Sequence, residues 1–439
     1  MVSSFSKWKN VFGEKEKNAS FENITPRLTS TSEGYMIDVS SELIAANWHT
    51  SGGGAVGIFQ TTNYIRLNKN FPLIYGHKGP VTDIKFSPMN PLLLATSSED
   101  GTVKLWNIPQ EGLKEDLREE SQAFSNHSKR AMILNWNPTV YEIIASAGND
   151  NDLYVWNITN SEVISKIKLD DPSVYSLEWN YNGTILGSML KNRYMHLFDV
   201  RNNKSIMSCE GHNSGKIQKM YFADNTYVYS AGFSNQGYRE LKLYDTRDFT
   251  KSIQNYKLDS LQGMLTSYYD TDTGLAFLYA KGESLISYVE IKEGSIKPAS
   301  TYSSNEQAIG LSFFPKRTMD YNKSELARTA KMTKDSIHYV SFKYPRRNEG
   351  FNEEFYPKCY SGKASMTLEE WSKGEEKAPI TDKINEIENK FKTEPVIFEK
   401  KEVVENKPVT MDSLLKENES LKKRIAELEE ENKKLKANK

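Results

Sequence analysis

The chain is poor in the residues that most often carry chemistry. It has two cysteines, Cys209 and Cys359, in 439 residues. With no leader ahead of them, such a pair reads as reduced thiols in the cytosol and not as a disulfide framework. The first ten residues, MVSSFSKWKN, lack the apolar stretch of a signal peptide. No run of about 18 apolar residues occurs, so no membrane span is expected. The six histidines include His49, His77, His127 and His212 near strand or turn markers, but no cluster has nucleophile or metal spacing. Neither an enzyme nor a bound metal or other cofactor is expected. The formal net charge is −1, and without a sustained basic face a nucleic-acid partner is not expected either. Charge is uneven locally: residues 314–347 carry nine Lys/Arg against three Asp/Glu, and residues 348–405 carry nine against fourteen.

What the chain does have is a repeat. Aromatic residues close alternating strands at Trp106, Trp156, Phe198 and Tyr244, each followed by Asn or Asp. Their separations of 50, 42 and 46 residues match the period of a four-stranded propeller blade, about 40–45 residues. Upstream stand Gly76-His77, Asn126-His127 and Gly211-His212, while the third repeat has Asp170-Asp171 instead. Val81–Phe86, 132–136 and Val174–Trp179 read as strands, each followed by a turn and a second apolar run. Weaker strand text continues through 261–291, 308–314 and 337–342, and Leu43–Trp48 with 56–59 fits one more blade. The total is about seven blades, and radial closure removes exposed sheet edges. The set His77, Asp100, Trp106 and the set His127, Asp150, Trp156 resemble the buried His–Ser–Asp–Trp brace of WD40 blades, where a Ser of the repeat's third strand completes the group. Buried polar groups must be paired, so these residues are read as structural braces and not as catalysts. Gly52, Gly54 and Gly57 match Gly-x-Gly-x-x-Gly, but the β-branched and aromatic text that follows opens no helix, so a glycine turn between strands is expected and not a dinucleotide site.

From Met411 the period changes to seven. Position a holds Met411, Asn418, Ile425 and Asn432; position d holds Leu414, Leu421, Leu428 and Leu435. That predicts a coiled coil over residues 411–437. Each buried Leu contributes roughly 1.5–3 kcal/mol, and a helix this short forms only on association. In a parallel arrangement Glu417 meets Lys422, Arg424 meets Glu429 and Glu431 meets Lys436, all attractive pairs. Asn at a with Leu at d suits two strands, whereas Arg424, Ile425, Leu428 and Glu429 resemble the Arg-h-x-x-h-Glu signature of short three-stranded coils. A parallel homotrimer is expected, with a homodimer as the alternative. Residues 377–410, Lys/Glu-rich with scattered prolines, read as a mobile tether with a short helix over 382–391.

A propeller, a tether and a terminal zipper together resemble the coronins. The similarity is carried by Lys9–Gly13, Ser51–Ala55, Ala231–Ser234, Arg239–Asp245, Phe314–Arg317, Glu325–Arg328, Tyr344–Arg347, Phe355–Pro357 and Leu368–Trp371. The resemblance implies an all-β fold: a seven-bladed WD40 propeller over residues 1–343, an extension packed on it over 344–376, the tether over 377–410 and the coil over 411–437. It also implies F-actin binding and filament bundling, contact with the actin-nucleating complex through the tail, and residence in the cytoplasm at the cortical actin cytoskeleton. Where the family often carries an Arg, this chain has Thr25, and Arg27 lies two residues on. Lys7, Lys9 and Arg27 are the expected basic actin-contact surface. The alternative function is a WD40 scaffold for other cytosolic assemblies, in trafficking or signalling.

Overall fold

In the computed structural model, residues 6–28, 34–68, 70–346, 350–387 and 398 are described. Among them are seven four-stranded antiparallel sheets and one two-stranded sheet. From inner to outer strand, blade one is Ile37–Val39, Leu43–Trp48, Gly54–Gln60 and Leu73–His77. Blade two is Val81–Phe86, Leu93–Ser98, Val103–Asn107 and Gln122–Phe124; blade three is Ala131–Trp136, Ile143–Gly148, Asp152–Asn157 and Glu162–Lys168. Blade four is Val174–Trp179, Ile185–Leu190, Tyr194–Asp199 and Lys204–Glu210; blade five is Lys219–Phe222, Tyr227–Phe233, Arg239–Asp245 and Gln254–Asp259. Blade six is Leu265–Asp270, Leu275–Ala280, Leu285–Lys292 and Ser295–Ser303. Blade seven takes Gly310–Phe313, Glu325–Met332 and Ser336–Lys343 from one end of the chain and its outer strand, Phe12–Glu22, from the other.

That last strand closes the ring, since it pairs with Ser336–Lys343 from Phe12↔Lys343 to Glu22↔Ser336. Its polar sequence, FGEKEKNASFE, suits an outermost edge, where charged side chains discourage pairing with another chain. The register slips between Lys15 and Ser20, and Asn18 takes a left-handed conformation there (φ 59°).

Around the central channel each inner layer is tied to the next. Phe86 N–H donates to Asp38 (2.7 Å), Leu134 N–H to Asp83 (2.9 Å), and Asn135 Nδ2 to Leu177 O (2.7 Å). Met220 N–H donates to Ser176 (2.9 Å), Ser267 N–H to Tyr221 (2.9 Å), Tyr279 O–H to Leu311 O (3.1 Å), and Ser312 O–H back to Asp38 (2.9 Å). The circuit crosses all seven blade boundaries. It pairs polar groups that the apolar sheets would otherwise strand. Tyr35 plugs the channel from one end: its N–H donates to Asp83 (2.6 Å), and Lys85 Nζ lies 3.6 Å from its ring centroid.

The faces of the ring follow from strand direction. On the upper face the inner strands begin; on the lower face they end. The Gly52–Gly57 stretch lies at an upper-face turn, as expected of a hairpin, with Gly54 opening a strand. A Cβ on Gly54 would meet Gly79 O at 2.5 Å.

The extension after blade seven crosses the lower face. Tyr356 is buried and donates to Glu325 O (2.8 Å). A short helix, Leu368–Ser372, is started by a Thr367/Glu370 capping box. Its Trp371 is fully buried, donates Nε1–H to Gly183 O (2.8 Å) and meets Trp179 edge-on at 6.4 Å. The expected tether boundary at 377 needs correction. Thr381–Asp382 pairs with Cys359–Tyr360, and Ile384 is buried in the core cluster of blades six, seven and one. Residues 382–387 contain no helix. A two-residue pairing and one buried Ile leave no periodicity in Lys/Glu-rich text. Further on, Phe398 packs beside Tyr141 against the core of blades two and three. The rest of the 382–391 helix and the whole predicted coil, with Leu414, Asn418, Leu421, Arg424, Ile425, Leu428, Glu429, Asn432 and Leu435, lie outside the described residues.

Candidate functional site

The two expected braces assemble at blade boundaries. His77 ends the outer strand of blade one, yet its Nδ1 lies 3.2 Å from Asp100 and its Nε2 2.7 Å from Thr96, both in blade two. Trp106 Nε1–H donates to the same Thr96 hydroxyl (2.9 Å). The next boundary repeats this: His127 reaches Asp150 (3.1 Å) and Ser146 (2.8 Å), and Trp156 donates to Ser146 (2.9 Å). The hydroxyl residue stands on the second strand of its blade in both, which is the third strand of the repeat when counted from the outer strand of the preceding blade, as Thr in the first and Ser in the second. A neutral imidazole with its proton on Nδ1 satisfies every partner: it donates to the carboxylate and accepts from the hydroxyl, which in turn accepts from the indole. Burial pushes His77 and His127 below the usual imidazole range, against the pull of Asp100 and Asp150. Burial also raises the Asp100 carboxyl, but hydrogen bonds from His77 and Thr102 outweigh it and hold Asp100 well below the usual range. Every group in the relay is engaged, so none is left over to act on a substrate.

A third relay joins blades four and five: His212 contacts Glu240 (3.0 Å) and Ser230 (2.8 Å). Glu240 replaces the turn Asp, and because it lies on the strand itself the turn-acid pattern does not reveal it. Between blades three and four the relay is missing. The Phe198 ring has no N–H to donate, no His stands at Asp170-Asp171, and the fully buried Ser188 hydroxyl has no partner among the described residues.

Lys7, Lys9 and Arg27 do not form one basic surface. Lys7 and Lys9 are exposed on the lower side, flanking Trp8, whose Nε1–H donates to Thr273 O (3.0 Å) in a lower-face turn. Lys7 Nζ lies 4.4 Å from the Trp8 ring centroid. Arg27 is on the upper face, with Nη1–H donating to Val81 O (3.3 Å) and Nη2 3.5 Å from Glu99. The closing strand Phe12–Glu22 separates them, and 11 residues of strand carry the chain roughly 30 Å. Nearness in sequence was misleading because the intervening residues form a strand that crosses the disc from face to face.

The structure brings other bases to Arg27. Glu99 also pairs with Arg130 (3.4 Å). Lys281 is depressed by burial and, secondarily, by the charge of Arg27. Lys78, Lys129, Lys191 and Lys216 are exposed in other upper-face turns. On the lower face, the loop over 108–121 exposes four acids, Glu111, Glu115, Asp116 and Glu119, against two bases, Lys114 and Arg118. No group of three or more His, Cys, Asp or Glu among the described residues is placed to hold a metal. No helix among them is long and apolar enough to cross a membrane.

A closed ring of seven blades, with His77, His127 and His212 committed to bracing and its turns displayed on two broad faces, defines a WD40 propeller. Models described as "WD domain, G-beta repeat" and "Type of WD40 repeat" match residues 69–107 and 337–379. "Anaphase-promoting complex subunit 4 WD40 domain" matches 134–225, and "Domain of unknown function (DUF1899)" matches 2–66. Coronin-2A of Bos taurus is 29% identical over 386 residues, covering 85% of this chain and 73% of the relative. Coronin-A of Dictyostelium discoideum is 29% identical over 429 residues, covering 97% and 96%. The crystal structure of the WD40 domain from Toxoplasma gondii coronin superposes with a TM-score of 0.82 at 28% identity, covering 86% of this chain and 98% of that one. These relatives and this structure support placing the chain with the coronin family.

Proposed function

We propose that this chain binds actin filaments through the upper face of its propeller and bundles them when its C-terminal heptads associate. The observation that carries this reading is similarity to coronins over nearly the whole chain, with 97% of it aligned to Coronin-A. The exposed bases around Arg27 and Arg130 support the choice of face, since they suit an acidic polymer surface. A single propeller–filament contact of this kind is weak and salt-sensitive. Joining two or three propellers makes the second contact intramolecular and raises avidity by about 10²–10⁴. Two propellers of one parallel trimer, or of a dimer, then grip two filaments. The actin-nucleating complex is a further partner of the tail in this reading, and the cortical cytoplasm is its place.

Filament co-sedimentation at low salt tests the proposal: a full-length chain that stays in the supernatant refutes it. Charge reversal of Arg27 and Arg130 is expected to release the protein from the pellet, whereas reversal of Lys7 and Lys9 leaves it bound. The opposite result moves the contact to the lower face. Leu421→Pro is expected to leave the propeller folded and abolish low-speed bundling; bundling that survives removes the coil from the mechanism.

A further inference from the structure

The lower face carries a groove that filament binding through the upper face does not use. It runs from the central vestibule outward between blades three, four and five, with the extension as one wall. Two joined cavities of about 430 and 250 Å³ share Asn135, Trp136, Pro138, Thr271 and Tyr360. The indoles of Trp136 and Trp179 form its floor, fixed because their N–H groups donate to Lys85 O (3.0 Å) and Asn135 O (3.3 Å). Tyr181 and Phe222 stand half-buried along it, and Pro379 closes the wall. The next residue, Ile380, is 38% exposed.

The polar groups of the groove ask for a cation. The outer cavity is lined by two acids, Glu178 and Asp224, and by no base. In the inner cavity Asp272, next to the shared Thr271, is raised to about 7, by burial and then by the charge of Asp270. The nearest base, Lys316, is already committed to Asp270 and Leu326 O, at 2.6 Å each. Lys85 lies against the Tyr35 ring, and Arg317 is buried in the vestibule wall. Tyr360 lines both cavities, and its hydroxyl is buried with no hydrogen-bond partner among the described residues.

We infer that this groove docks an extended, proline-containing segment of another protein, which lays its prolines on the Trp136–Trp179–Tyr181 floor and presents an arginine to Asp272 and Asp224. Aromatic ridges bind the preformed polyproline conformation at low entropic cost. A guanidinium supplies donors for carboxylates and stacks on an aromatic face. The site is independent of the actin reading, because it lies on the opposite face and its test contains no actin.

The probe is a fluorescein-labelled peptide, Arg-Pro-Pro-Leu-Pro-Pro-Leu, titrated by anisotropy with the full chain. Saturable binding that weakens about threefold or more in Asp272→Asn and in Tyr181→Ala, and that is lost when the peptide's arginine is replaced by glutamate, supports the inference. Charge reversal at Arg27 is expected to leave it unchanged. Absence of saturable binding overturns it, whether the groove has no affinity or is filled by the chain's own tail or a second copy. Equal affinity of the arginine and glutamate peptides, or indifference to both groove substitutions, also overturns it.

Discussion

Trp371→Ala is expected to detach the extension from the propeller. The indole is fully buried against blades three and four, and its N–H is spent on Gly183 O at 2.8 Å. A tryptophan of this kind removes roughly 200 Å² from water, worth about 5 kcal/mol as an upper bound. Truncation of large buried aromatics costs about 3–5 kcal/mol. The helix carrying Trp371 spans only Leu368–Ser372, too short to hold its place without that anchor. Around it the docking retains Met366, which is buried, and backbone bonds from Ser365 and Met366 to Thr139 O (3.0 and 3.2 Å). The loss therefore falls first on the extension: hydrogen exchange over 365–375 accelerates, and proteolysis after Lys363 and Lys373 becomes fast while blades two to five stay protected. Hydrogen-exchange mass spectrometry combined with urea denaturation measures both effects. Unchanged exchange in 365–375 with a stability change below about 1 kcal/mol would refute the claim that this indole holds the extension in place.

Three further outcomes follow from the braces and the closing strand. Ser188→Ala removes a buried hydroxyl that lost its relay partners, so urea unfolding is expected to show equal or greater stability, by up to about 1–2 kcal/mol; a clear loss would mean the hydroxyl is paired. Thr96→Val strands both His77 and Trp106 and is expected to cost about 2–4 kcal/mol, with a matching fall in the urea midpoint; a neutral result would show the relay to be idle. His338 is almost fully buried behind the closing strand, and burial first, then Lys15 and Lys331 against Glu306, hold it at about 4. The unfolded chain takes up this proton at about 6.5, so the contribution is complete above that pH and is lost as pH falls from 6.5 towards 4. Asp83, raised to about 6 chiefly by burial, has the opposite slope. The measurement is therefore the difference between wild type and His338→Gln, which should narrow by up to about 3 kcal/mol over that window; a pH-independent difference refutes it.

The markers visible in the sequence were those with a fixed local geometry. Trp106, Trp156, Phe198 and Tyr244 each close a third strand, and His77, Asp100, His127 and Asp150 meet across blade boundaries. Glu240 escaped notice because it stands in a strand where the other repeats use a turn acid. The closing strand Phe12–Glu22 escaped because an exposed outer edge has no apolar alternation to read. The groove between Trp179, Tyr181 and Tyr360 could not be read at all, since its walls come from residues nearly two hundred positions apart.

Blade number, brace chemistry and family were therefore written locally, in period and residue type, because each blade folds from neighbouring strands. Which bases share a face was not. Lys7 and Arg27 are separated by a strand that crosses the disc, while Arg27 and Arg130 share Glu99 (3.5 and 3.4 Å) from distant parts of the chain. Ring closure decides that arrangement, because only a closed circle of blades determines which turns stand side by side.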